Sequence, residues 1–347
     1  MKRVGILTFH WATNYGAVLQ AYALQKCLDA MEFDAEVINY RPYRVLLIQK
    51  ITKWRDQDHQ KKECALRKFR KCIKMSKKTV YTEKKLATVF PQYDFLIAGS
   101  DQIWNESFTL GAEGKPTLSY FFRNCPLWVK RISYAASFGT EKVSETYKTH
   151  VKSELEQFST ISVRENSGGD IVRGLGLEAE VVCDPTLLLP KEVYWDLTNH
   201  LQMNSPSVFS YVLHGNALTE EIAQYVKRWK QDKSQMDEVY GLAEWLYCIQ
   251  NADVVVTNSF HGVMLSIILN RPFVAVLMKG SGMNDRILTV LASTGLENRA
   301  VGTNEEKVID TVLETPIDWD QVNERLEELR EHGKAFLSKA LTNEGES

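Results

Sequence analysis

The sequence predicts a doubly wound α/β protein of two domains, and three observations carry that expectation. Short apolar runs alternate with segments of helical spacing along the chain, the pattern of parallel strands joined by helical crossovers. At 347 residues the chain is too long for one comfortable core and suits two of ordinary size. A turn at Asp184 and Pro185, followed by Leu187 to Pro190, interrupts the alternation, so the first domain is placed at 1–188 and the second at 189–317. Residues 318–347 read as a last helix expected to pack back on the first domain.

The first domain opens with an apolar strand, Val4 to Phe9. A loop with His10, Trp11, Thr13, Asn14, Tyr15 and Gly16 leads into a helix over Ala17 to Ala30. Ala35 to Asn39 reads as a strand, Tyr43 to Lys78 as basic helices and Glu83 to Phe90 as a helix, which makes about 44–90 a basic helical insertion. Phe95 to Ala98 is a strand running into Gly99, Ser100 and Asp101. Strands also fit Ile132 to Ser137, Thr160 to Val163 and Glu180 to Cys183, with a helix over Tyr147 to Phe158. The second domain starts with strand Val208 to Leu213 and a helix near Thr219 to Lys230. Val254 to Val256 is an apolar strand that breaks into Thr257, Asn258, Ser259, Phe260, His261 and Gly262, and a helix then runs over about Val263 to Leu269. Arg271 and Pro272 stop that helix, and Phe273 to Leu277 is the next strand, so the piece is a parallel crossover. Helices follow near Asn284 to Ala292 and Asn304 to Leu313. Asp318 with Gln321 makes a capping-box start for the last helix, whose apolar side carries Val322, Leu326, Leu329, Phe336 and Leu337.

Composition narrows the function. An apolar fraction of 44% and a charged fraction of 25% suit a soluble globular protein, and a net charge of -2 argues against nucleic acid as the main partner. Between Arg44 and Lys85, however, 15 Lys and Arg stand against 4 Asp and Glu. Such a block attracts phosphates or an anionic membrane surface, or is simply a solvated helical face. Six cysteines (Cys27, Cys64, Cys72, Cys125, Cys183, Cys248) without a C-x-x-C pair read as reduced thiols of a cytoplasmic protein. The opening apolar run is too short for an export signal, and no stretch reaches the roughly 18 apolar residues of a membrane span, so any lipid contact is expected to be peripheral, through the basic 44–85 segment. The seven histidines lie far apart, no calcium-loop spacing occurs, and the glycines at 168, 169, 174 and 176 lack dinucleotide spacing. Neither a metal nor a nicotinamide cofactor is expected.

The candidate site follows from the strand ends, because ligands of open parallel sheets gather beyond the carboxyl ends of strands. Amides at the start of the helix after Ser259 favour an anion over Ser259 to Gly262, and His261 can deliver a proton there, or else serve only as a hydrogen-bonding group of the turn. Asp101 ends another strand; it reads as a carboxylate for binding or deprotonating hydroxyls, or as the cap of the next helix.

Taken in order, several blocks have a familiar spacing: Asn14 to Ala17 with Leu19 and Gln20, Gly99 to Asn105, Ser133 to Gly139, Ser162 to Glu165, Asp184 to Leu188, and Ser259 to Gly262. Together they resemble the polysaccharide pyruvyl transferase family, from Val4 to about Arg299. The resemblance implies two Rossmann-like doubly wound domains in a GT-B-like arrangement. It also implies transfer of a pyruvyl group from phosphoenolpyruvate to two sugar hydroxyls as a ketal, in exopolysaccharide, capsular or cell-envelope glycan biosynthesis. The acceptor would be a glycan precursor, lipid- or nucleotide-linked. One departure from the family pattern stands out: only Gln231 to Gly241 separates Lys230 from Leu242, which leaves the second domain short of one strand.

Phosphoenolpyruvate carries a phosphate and a carboxylate, so its pocket needs fixed positive charge beside hydrogen-bond donors. Lys279, Arg286, Arg299 and Arg164 are the candidate cations, with Thr257, Ser259 and Gly262 forming the turn, and His261 is the candidate acid. On the acceptor side the candidates are Asp101 as base, His10, Asn14, Tyr15, Gly16 and Ser100 around the hydroxyls, and Trp104 as a flat face for a sugar ring. Two other functions fit the same residues: a GT-B glycosyltransferase using a nucleotide sugar, and a non-catalytic glycan-binding homologue.

Overall fold

The computed structural model describes residues 1–43, 45, 57–109, 117–213, 215–232, 239–280, 282 and 284–342. The chain forms two compact units, one of Met1–Leu188 with Glu331–Ser347, the other of Leu189–Arg330. Residues 44 and 46–56 of the expected basic insertion, and residues 233–238 of the shortened segment, lie outside the described residues.

In the first unit, β1 (Arg3–Leu7), β2 (Asp34–Val37), β3 (Phe95–Gly99) and β4 (Lys130–Tyr134) form a parallel sheet in the order β2-β1-β3-β4. A parallel pair, β5 (Ser162–Val163) with β6 (Glu180–Val181), lies beside β4 through bridges at Ile132–Thr160 and Ala136–Val163. Bridges at Val37–Met75 and Tyr40–Val80 extend the pairing past β2. The strand order therefore reverses between β1 and β3, the place where open sheets of this kind bind ligands. Helix α1 (Tyr15–Ala30) is capped by Asn14, whose side chain accepts the Ala17 amide, and it is buried along most of its length, as its apolar composition requires. Helices α2 (Gln57–Phe69), α3 (Glu145–Leu155) and α4 (Asn166–Gly174) follow. The glycines at 168, 169, 174 and 176, which lack dinucleotide spacing, lie in and just after α4, and Gly168 packs close to Val163.

The second unit holds β7 (Val208–Tyr211), α5 (Ala217–Trp229), α6 (Leu242–Asn251), β8 (Val254–Thr257), α7 (Phe260–Ile268), β9 (Phe273–Val276), α8 (Asn284–Thr294), β10 (Ala300–Val301) and α9 (Glu306–Glu314). Its sheet is parallel in the order β10-β9-β8-β7. Every residue of β8 and α7 is buried, which explains why the sequence there is mostly apolar on both sides of the polar turn. Helix α10 (Trp319–Leu341) starts where Asp318 accepts the Gln321 amide. Its C-terminal part belongs to the first unit, where the Phe336 ring lies 6.0 Å from that of Tyr134.

Trp104 is fully buried, stacked on Phe121 at 5.3 Å with Phe138 and Phe158 around it, in the core of the first unit. Its expected role as a sugar platform is therefore corrected, since both ring faces are enclosed by protein.

Candidate functional site

In the second unit, the site is built where β7, β8 and β9 end. Thr257 Oγ1 donates to the Tyr211 carbonyl and accepts the Ser259 amide, so both its capacities serve the turn. Ser259 is the N-cap of α7, its hydroxyl accepting the Gly262 amide at 3.3 Å. A Cβ at Gly262 would stand 2.8 Å from Thr257 Oγ1, so this glycine allows the helix to start hard against the strand. Thr257 and Gly262 thus shape the turn, and the amides expected to meet an anion are reduced in number by the cap.

His261 occupies the first turn of α7 and keeps 7% exposure, its ring edge-on to Phe260 at 5.1 Å. The Arg286 guanidinium, in the first turn of α8, lies 5.9 Å from the Phe260 ring centre, which links it to the same corner. Lys279 is exposed on the loop after β9. Two asparagines fix the loops around this corner. Asn258 accepts the Leu213 amide at 2.7 Å and donates to the Leu213 carbonyl at 3.0 Å, while Asn284 makes the matching pair with Met278 at 2.9 and 2.8 Å. Each amide side chain acts as one rung of a strand ladder, a role that only the spatial arrangement reveals. Arg299 is elsewhere: it is buried and donates to the Val312 and Thr315 carbonyls at the end of α9. Its expected part in donor binding is corrected to that of a helix C-cap.

In the first unit, the loops after β1 and β3 meet at the strand-order reversal. Thr8 donates to the Ser100 carbonyl at 2.9 Å, and Gln20 bridges the two by donating to Thr8 and accepting the Ser100 amide. Gly99 permits the close approach to β4, since a Cβ there would fall 2.0 Å from the Tyr134 carbonyl oxygen. Asp101 follows in the left-handed region at φ 74°, with its Oδ1 accepting the Gln102 amide at 2.8 Å. A buried non-glycine residue held in that conformation stores strain of the kind found at functional sites. The next helix, Glu106–Thr109, is started by Asn105, which accepts the Ser107 amide, so Asp101 is not its cap.

Ser100 and Arg164 are wholly inside. Ser100 Oγ donates to the Ala135 carbonyl and to Asp184, and Arg164 pairs with Asp184 at 2.7 Å. Burial alone would lower the Arg164 pKa, but Asp184, Glu165 and Asp101 outweigh it and hold it above the usual arginine value. Arg164 is corrected from a donor-binding cation to the centre of a buried charge network, and Ser100 from an acceptor contact to part of it.

The β1–α1 loop is clamped from the basic insertion. Arg70 donates to the carbonyls of His10, Trp11 and Ala12 and pairs with Glu63 at 2.8 Å, and Glu63 accepts from Thr13. Tyr15 is buried with the Lys62 ammonium 4.0 Å from its ring centre, so with Gly16 it belongs to the packed helix start. His10 is also fully buried, 3.2 Å from the Thr8 carbonyl and 3.3 Å from Asn39 Oδ1, and its expected contact with acceptor is corrected. Asn14 is half-buried, with its side-chain oxygen capping α1.

Burial lowers the His10 pKa from its usual value to about 4, and Arg41 and Arg70 push the same way against the Asn39 bond. The unfolded chain therefore binds the proton first as pH falls. His10 contributes full stability above about pH 6.5 and loses it between there and about pH 4, an effect of about 3 kcal/mol. Melting curves of the protein and of His10→Asn through this window should show a flatter pH dependence for the variant; parallel curves would refute the assignment.

Among the described residues no three His, Cys, Asp or Glu side chains cluster as a metal site, and no helix is long and apolar enough to cross a membrane.

Solved structures share this architecture. A putative UDP-N-acetylglucosamine 2-epimerase from Listeria monocytogenes matches with a TM-score of 0.59 at 10% identity, covering 98% of this chain and 95% of that one. UDP-GlcNAc 2-epimerase from Methanocaldococcus jannaschii matches with a TM-score of 0.51 at 11% identity over 92% and 93%. The enzyme from Neisseria meningitidis, bound to UDP-GlcNAc, gives 0.50 at 9% identity over 98% and 99%. At such identities the likeness shows the fold alone, an α/β fold of GT-B type. No curated protein matches the chain in sequence. Residues 14–279 match the family description "Polysaccharide pyruvyl transferase". That span holds Asp101 and His261, and the chain belongs to the polysaccharide pyruvyl transferase family, a family of transferases.

Proposed function

We propose that this protein transfers the pyruvyl group of phosphoenolpyruvate to two hydroxyls of a sugar, forming a ketal in exopolysaccharide or cell-envelope glycan biosynthesis. The observation that carries the reading is His261, fixed in the first turn of α7 with Arg286 at the same corner, in a chain of this family. His261 is assigned the acid that protonates the methylene carbon, which makes the central carbon electrophilic. One sugar hydroxyl adds to that carbon, and the second displaces phosphate through C–O cleavage. Of the two hydroxyl protons, one balances the proton delivered to carbon and the other leaves with phosphate or solvent. Arg286 and Lys279 are assigned to the carboxylate and phosphate of the donor. Asp101, with Asn14, is assigned to the acceptor hydroxyls. A cytoplasmic site of action, no metal and no cofactor beyond the co-substrate belong to the same reading.

Phosphate release from phosphoenolpyruvate, screened against glycan precursors that are lipid-linked, nucleotide-linked or unlinked, tests it. Phosphoenolpyruvate should also raise the melting temperature, as a ligand of the native state alone does. Stabilisation by UDP- or GDP-sugars without any by phosphoenolpyruvate would replace this reading with a nucleotide-sugar glycosyltransferase. No turnover with any acceptor, together with glycan binding, would leave a non-catalytic homologue.

The placement of Ser259 gives a further check. Ser259→Ala should cost about 1 kcal/mol of stability as a lost N-cap and leave the KM for phosphoenolpyruvate unchanged. A raised KM at unchanged stability would restore Ser259 to the donor site.

A further inference from the structure

The turn before β4 has an unusual tip. Val129 N–H donates to the Pro126 carbonyl at 3.1 Å, which closes a four-residue turn with Leu127 and Trp128 at its two central positions. Central turn positions normally carry Gly, Asn, Asp or Ser. Here the side chains are 86% and 75% exposed, among the most exposed large apolar residues of the described chain. The turn is held from both sides: the Cys125 amide donates to the Phe122 carbonyl at 3.0 Å, Arg131 to the Cys125 carbonyl at 2.8 Å, and the Lys130 amide to the Asp94 carbonyl at 3.2 Å. A fixed tip that presents a leucine and a tryptophan to water gains nothing for the fold.

Beside the tip lies a hollow of about 370 Å³ lined by Lys2, Gln92, Tyr93, Asp94, Trp128 and Lys130. Lys2 and Lys130 bring positive charge to it, and exposed Arg123 stands before the tip, 3.8 Å from Glu154. The acid in the hollow, Asp94, already accepts the Arg3 amide at 2.7 Å. Apolar side chains flanked by cations match the layering of a lipid surface, where tryptophan sits among headgroups and basic side chains meet phosphates. A second copy of the chain is a poorer fit, because two side chains at a tip cover far less than the roughly 800 Å² per partner of a stable dimer.

We propose that the Leu127–Trp128 turn inserts into the headgroup layer of a bilayer containing anionic phospholipid, with Lys2, Lys130 and Arg123 on lipid phosphates. The turn lies at the amino-terminal edge of the sheet, whereas Asp101 and Asn14 lie beyond its carboxyl edge. A docked first unit thus keeps those loops a strand's length from lipid, about 17 Å. This surface differs from the basic 44–85 segment and does not depend on the reaction catalysed.

Vesicle flotation of the full chain decides the matter, with phosphatidylcholine vesicles that contain or lack phosphatidylglycerol. The protein should float with the anionic vesicles, and Leu127→Ser with Trp128→Ser should lower its partition by about tenfold or more. Lys2→Glu with Lys130→Glu should weaken it similarly, and added salt should weaken the parent. Brominated lipid should quench tryptophan emission in the parent and markedly less in Trp128→Phe, a variant that keeps the bulk of the turn. Failure of the parent to float, or equal flotation of the serine variant, would overturn the proposal. So would equal quenching in Trp128→Phe, or a dimer in light scattering that the serine variant dissolves.

Discussion

Replacing His261 by asparagine is expected to lower the rate of phosphate release from phosphoenolpyruvate by about 10²–10⁴-fold, the usual contribution of a positioned general acid. Asparagine is polar and of similar reach, so the melting temperature should stay close to that of the parent protein. His261 is buried in the first turn of α7 and its ring packs against Phe260, hence alanine is the less informative change. An acid acting only in the transition state reduces kcat and kcat/KM together. If turnover persists in the folded variant, His261 is a packing residue and the proton has another source. A raised KM alone would move it from proton transfer to donor binding.

The second large effect concerns stability. Asp184→Ala is expected to destabilise the first unit by about 3–5 kcal/mol, because it leaves the buried Arg164 charge without its nearest partner. Asp184 also accepts from Ser100 and from the Thr186 amide and hydroxyl, so the loss spreads to the loop that carries Asp101. Thermal melts should show a drop of roughly 6–20 °C in the transition of that unit. Removing both partners, Arg164→Met with Asp184→Leu, should cost less than the sum of the single changes, since the closest pair is then lost together, with the buried Glu165 carboxylate keeping the cost above zero. Melting within a degree or two of the parent after Asp184→Ala would show that water reaches Arg164, and the network would lose its structural role.

Elements of strong period were legible in the residues. β8 and α7 are buried on all sides, and their apolar run announces them without any knowledge of neighbours. Asp318 is a cap by residue type and position, and the structure uses it so, whereas the capping role of Asn14 emerged only in the structure. The two-residue strands escaped clear delimitation or were missed: β10 became a strand only because β9 lies beside it. Helix α4 was hidden by its glycines, of which Gly168 packs close against Val163.

Side-chain roles were harder to read than elements. A polar residue beyond a strand looks the same in sequence whether it faces a substrate or its own fold. His10, Ser100, Trp104, Arg164 and Arg299 all have chemistry suited to a sugar or phosphate, and all five are enclosed by protein partners. Conversely, Asn258 and Asn284 gave no signal beyond being polar, because pairing with the Leu213 and Met278 backbones depends on chain segments brought together in space.

The sequence by itself determined the alternation of strands and helices, the parallel crossover around His261 and the family to which the chain belongs, because periodicity, capping and motif order are local properties. Only the tertiary structure decided which polar side chains serve the fold and which stay at the sheet edges. Burial and partnership are set by residues far apart in the chain, and no local pattern records where a side chain's hydrogen bonds will end.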